Sequence, residues 1–93
     1  MFILTVCGMG FGTSLMMLME IQDMAKRNGF EVEGEATDLS SSKGKACDLI
    51  VAGSEIASEI SSETTVIPIY NLLDKQEFEN KVLPKIREYF DAL

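Results

Sequence analysis

The chain has 93 residues, 46% of them hydrophobic and 25% charged, which leaves room for one domain spanning residues 1–93 around one core. A net charge of −7 speaks against nucleic acid as a partner, and it reads as ordinary solubility ahead of a basic docking partner. Cysteines only at 7 and 47, with no Cys-x-x-Cys and no histidine, argue against a disulfide scaffold, a thioredoxin-type centre and a transition-metal site.

Residues 2–6 form a continuous apolar run broken only by Thr5, the pattern of a strand covered on both faces. Helical periodicity follows over 13–28, with Glu20, Asp23 and Arg27 on one face and Asn28-Gly29 as the stop. The methionines at 16, 17, 19 and 24 read as adaptable core filling against a sheet. Residues 30–36 alternate Phe30 and Val32 with Glu31, Glu33 and Glu35, which predicts a half-exposed edge strand. A turn at 38–42 leads into a short helix expected near 40–46.

The run 48–52 is again apolar and predicts a central strand, with Cys47 before it as an inert core thiol. Gly53-Ser54-Glu55 turns into a short helix through residue 60. Residues 65–70 contain Pro68, which confines that strand to an edge. Asp74-Lys75-Gln76-Glu77 resembles a capping box, and Pro84 kinks or restarts the last helix. Alternating strands and helices imply an open α/β fold with a four-stranded parallel sheet, order 2-1-3-4, and helices on both faces. In such a sheet a ligand sits beyond the carboxyl ends of the strands at the switch point, between strands one and three.

Cys7 stands at that point and opens Cys7-Gly8-Met9-Gly10-Phe11-Gly12-Thr13-Ser14. Alternate glycines allow the backbone N–H groups to turn inward, and the following helix adds its unpaired N–H groups and positive dipole end. Such a nest binds an anion and favours a thiolate, so the loop reads as a phosphate cradle with a built-in nucleophile. A buried cysteine followed by glycines that merely turn the chain is the bland alternative. A dinucleotide site fits poorly, because Thr13 stands where the third glycine of Gly-x-Gly-x-x-Gly belongs and the chain is too short for two nucleotide-binding halves. A cysteine phosphatase needs Cys-x5-Arg-Ser/Thr, and Thr13 replaces the arginine. A phosphatase-like loop without its cation suits a protein that holds a phosphoryl group without hydrolysing it. The N–H groups of 8–14 and the hydroxyls of Thr13 and Ser14 would bind its oxygens, and Phe11 is either a docking contact or a cover over the loop. Ser54, at the next strand end, reads first as an N-cap and second as an accessory phosphate contact.

The loop Cys7 to Ser14, the segment Cys47-Asp48-Leu49-Ile50-Val51-Ala52-Gly53-Ser54-Glu55-Ile56-Ala57 and the segment Val66-Ile67-Pro68-Ile69-Tyr70-Asn71-Leu72-Leu73 together resemble the IIB component of the bacterial phosphoenolpyruvate-dependent sugar phosphotransferase system. The resemblance spans nearly the whole chain and points to the ascorbate type, with the galactitol type next. Lactose-type relatives have a similar cysteine without the glycine-rich loop and are set aside. The resemblance implies that Cys7 receives a phosphoryl group from a phosphohistidine on a IIA protein. It would then pass that group to a sugar held by a membrane IIC partner, with no cofactor and no metal. A regulatory or phosphate-sensing module of the same fold is the alternative. The apolar runs are too short to cross a bilayer and no basic signal region precedes residues 2–6, so the expected location is the cytoplasm, without membrane insertion.

Overall fold

Two apolar runs make the centre of the sheet. In the computed structural model, which describes residues 1–8 and 12–93, they are β1 (Phe2–Cys7) and β3 (Leu49–Gly53). β2 (Glu33–Asp38) and β4 (Val66–Ile69) flank them, and all pairs are parallel in the order β2-β1-β3-β4. β3 is buried throughout, whereas β2 exposes Glu33 and Glu35 as an edge strand should. Pro68 sits on the other edge, where its missing N–H costs no ladder bond.

Strand side chains alternate between two layers. Ile3, Leu49, Val51, Ile67 and Ile69 face one way, joining Met17, Ile21 and Met24 of α1 (Gly12–Arg27). The same cluster includes Phe78 of α3 (Lys75–Lys81) and Ile86 of α4 (Leu83–Asp91). Leu4, Val6, Ile50 and Ala52 face the other way and meet Ile56 of the four-residue α2 (Ser54–Ala57). Gly34 lets α1 lie close to the sheet: a Cβ there would stand 2.5 Å from the carbonyl oxygen of Ile3 and 2.5 Å from Cδ1 of Leu18.

Several expectations need correction. Residues 40–46 form no helix. The Asp38 carboxylate accepts from Ser41 N–H (2.7 Å) and Ser40 Oγ (3.1 Å), Ser42 Oγ donates to Leu39 C=O (2.7 Å), and Gly44 adopts φ +77°. Side chains that bond local backbone in this way stabilise turns in place of a helix. β2 begins three residues later than expected, because Phe30 stacks on Phe90 with ring centroids 5.2 Å apart. The capping box is half formed: Asp74 accepts from Gln76 N–H, but Glu77 reaches back to Tyr70 and Asn71 N–H at 2.7 and 2.8 Å. Pro84 does restart the chain as α4. The methionines divide: Met17 and Met24 are core, while Met16 and Met19 face solvent beside exposed Leu15.

Candidate functional site

The parallel order places four carboxyl ends along one rim. Register pairs Val6 with Ala52, so the next residues, Cys7 and Gly53, stand side by side where the strand order reverses. Cys7 is 3% exposed, and its register partner on the other side is Asp38. The thiol-bearing residue therefore stands at the switch point between β1 and β3, where a ligand of such a sheet is expected.

The base of the loop is tied to the sheet at both ends. On the strand side, Leu39 N–H donates to the Cys7 carbonyl at 3.1 Å. On the helix side, the buried Thr5 hydroxyl donates to the Ser14 carbonyl at 2.8 Å, with the Glu35 carbonyl 3.5 Å away. Thr5 is the residue that sequence reasoning passed over. The signal was its isolation as the one polar side chain in an apolar strand. A lone hydroxyl there must find a partner, because burying it without one is costly.

Gly8 is exposed and pressed against α2: a Cβ on it would come within 3.1 Å of Ile56 Cγ2. Gly12 opens the sixteen-residue α1 in open space, Thr13 is half-buried and Ser14 is buried. The first N–H groups of α1 and its positive dipole end thus stand directly beyond the loop that begins at Cys7. The remaining expected phosphate contacts, Met9, Gly10 and Phe11, lie outside the described residues.

Beside Gly8 opens a cleft of about 470 Å³, lined also by Asp38, Leu39, Ser40, Lys43 and Glu59. Hydrogen bonds from Ser41 N–H, Ser41 and Ser40 hold the Asp38 carboxyl below its ordinary value, so it stays ionised. Among the described residues Lys43 is the one cation lining this cleft, and its sequence, amid serines and glycine, gave no sign of that placement. Ser54 is not the N-cap expected of it. Gly53 caps α2 without a side-chain bond, and Ser54 is the first helical residue, half-buried. Cys47 lies before β3, half-buried, and burial pushes its thiol above the ordinary value, which favours the neutral form. Among the described residues no three acidic, cysteine or histidine side chains come together as metal ligands, and no helix is long and apolar enough to cross a membrane.

The described residues thus place a buried cysteine at the switch point of the sheet, one loop ahead of a helix N-terminus. Residues 2–83 match the family model described as the PTS system, lactose/cellobiose specific IIB subunit. The chain is 33% identical over 92 residues to the ascorbate-specific PTS system EIIB component of Salmonella typhimurium, covering 95% of this chain and 91% of that one. The namesake in Escherichia coli O157:H7 is 32% identical over 92 residues with the same coverage, and that of Mycoplasma pneumoniae is 26% identical over 81 residues, 83% and 85% of the two chains. The sugars in these descriptions differ while the component is the same.

Proposed function

The chain belongs to the IIB family of the sugar phosphotransferase system, and on that premise we propose that Cys7 is the residue that carries the phosphoryl group. A IIB component is a phosphotransferase that works between a IIA donor and a membrane IIC partner. In the proposed step Cys7 Sγ attacks the phosphorus of a phosphohistidine on IIA, in line with the breaking P–N bond. The S–P bond forms, and the imidazole leaves with the P–N electron pair and takes up a proton. In the second step a sugar hydroxyl oxygen attacks the same phosphorus and gives up its proton to solvent, the S–P bond breaks, and the sulfur regains its electron pair as a thiolate.

The observation that carries this reading is the seat of Cys7: buried at the carboxyl end of β1, at the switch point, one loop ahead of the α1 N-terminus. Backbone N–H groups of Gly8, Met9, Gly10, Phe11, Gly12, Thr13 and Ser14 would share the charge of the bound group, with the Thr13 hydroxyl at the mouth. The Ser14 hydroxyl would add a further contact, its backbone being held by Thr5, and Ser54 enters only as an accessory contact from the neighbouring strand end. The ascorbate type is favoured because the curated relatives from three genera bear that name. The place of work is the cytoplasm, where a IIA donor and the inner face of a IIC partner are both within reach.

The test is sugar phosphorylation by a reconstituted system of phosphoenolpyruvate, the two general phosphotransfer proteins, IIA, this chain and membranes carrying IIC. Ascorbate is expected to be phosphorylated only when the chain is present, and Cys7→Ser is expected to abolish the reaction with the fold intact. Substantial transfer through Cys7→Ser overturns the assignment, and transfer to another sugar in preference overturns the ascorbate type.

A further inference from the structure

Large apolar side chains are exposed on one short stretch next to the thiol. Leu15, Met16 and Met19 are 49%, 54% and 61% exposed, all in the first half of α1. The buried residues of that helix, Ser14, Met17, Leu18, Ile21, Met24 and Ala25, occupy the opposite face, so these three are no part of the core. The outward face changes character along its length: apolar at 15, 16 and 19, then charged at Asp23, Lys26 and Arg27. Met16 and Met19 line a shallow groove of about 270 Å³ with Glu20 and Asp23. Arg27 reaches back to both carboxylates at 3.5 Å, leaving the far end of the groove net acidic.

Building on the carrier reading above, we infer that this half of α1 is the docking surface for the phosphohistidine-bearing donor protein, which presents an apolar contact flanked by basic side chains. The donor's phosphoryl group is tethered by one imidazole, and the thiol it must meet belongs to a buried residue at the carboxyl end of β1. Surface-to-surface contact around the loop is therefore unavoidable. A standard interface covers about 800 Å² per partner, a disc of roughly 16 Å radius. At about 1.5 Å of rise per residue, Leu15 to Met19 lie within roughly 11 Å of the helix start, inside that disc. Unbranched methionines suit a surface that must fit and release a partner in every cycle. Glu20 and Asp23, with the chain's charge of −7, complement a basic flank. The acceptor differs in kind, because its phosphoryl-accepting atom belongs to a small sugar and not to a side chain tethered to a protein surface.

Rapid mixing of phosphorylated IIA with increasing concentrations of the chain separates docking from chemistry. Met16→Asp and Met19→Asp are each expected to raise the half-saturating concentration about tenfold while the saturating rate stays within about twofold. Asp23→Lys should raise it less, by a factor that shrinks as salt is added. Both methionines are exposed and outside the core, so both variants should keep the circular dichroism and the Cys7 alkylation rate of the wild type. Wild-type transfer with unaltered half-saturation in all three variants overturns the inference alone. So does a defect confined to onward transfer to sugar, which would give the surface to the membrane partner. A wild-type dimer that Met19→Asp dissolves without affecting donor kinetics gives it to a second copy and likewise overturns the inference. A wild-type chain that takes no phosphoryl group overturns the carrier reading, and this inference with it.

Discussion

The two faces of the sheet are built to different depths, and the site lies where they meet. On one face three helices enclose a continuous cluster from Ile3 and Met17 to Phe78 and Ile86, most of it fully buried. On the other, a single four-residue helix covers Leu4, Val6, Ile50 and Ala52 through Ile56, and a groove of about 650 Å³ reaches Ile50 between residues 42–45 and 59–64. The deep face supplies rigidity to β1 and to α1, the two elements that hold the ends of the thiol loop. The shallow face reaches Gly8 through Ile56, whose Cγ2 would stand 3.1 Å from a Cβ on that glycine.

That contrast can be broken most sharply by truncation on each side. Phe78→Ala on the deep face is expected to cost about 4 kcal/mol in denaturant unfolding, and Ile56→Ala on the shallow face about 2 kcal/mol. Equal costs would mean that the two faces contribute alike. Filling Gly34 tests how tightly α1 is seated. Gly34→Ala should cost about 2–3 kcal/mol, because its Cβ would meet the Ile3 backbone carbonyl, which cannot turn aside as a side-chain tip can. A neutral result would show that α1 rides higher on β2.

Smaller effects address the joints. Thr5→Val keeps the shape and removes the bond to the Ser14 carbonyl, with an expected loss of about 1 kcal/mol and a slower transfer rate from a looser helix start. Retained stability and rate would reduce Thr5 to a spacer. At the far edge, burial alone would raise the Glu77 carboxyl. The Lys81 ammonium at 2.6 Å and the Tyr70 and Asn71 N–H groups outweigh it and hold the carboxyl below its ordinary value. A carboxylate with a lowered folded value stabilises the protein above its unfolded value, about pH 4.3, and loses that contribution as pH falls through the folded one. Glu77→Gln should therefore cost about 1 kcal/mol at neutral pH and progressively less in acid. A cost that is the same at both extremes would assign the effect to geometry alone.

Much of this arrangement was legible in the chain because backbone pattern determines it. Two largely apolar runs marked the central strands, and alternating glutamates and Pro68 marked the edges, so the order β2-β1-β3-β4 and the place of Cys7 followed. What escaped was set by side chains meeting across distance or competing locally. Phe30 left the strand pattern for Phe90, sixty residues away, and Asp38 and Ser42 bonded the backbone of Ser41 and Leu39 where a helix was expected. The periodicity of α1 showed an amphipathic helix but not how wide its buried stripe is, which is why Met16 and Met19 passed for core. Lys43 reached the cleft beside Gly8 only through the fold of that turn.

The central claim concerns one sulfur atom, and peptide mapping of the phosphorylated chain tests it most directly. After incubation with phosphoenolpyruvate, the two general proteins and IIA, the intact mass should rise by one phosphoryl group. Fragmentation under conditions that preserve a thiophosphate should place that group on Cys7, and no increment should appear on Cys7→Ser. A phosphoryl group found elsewhere, or none at all while IIA stands phosphorylated, would contradict the account.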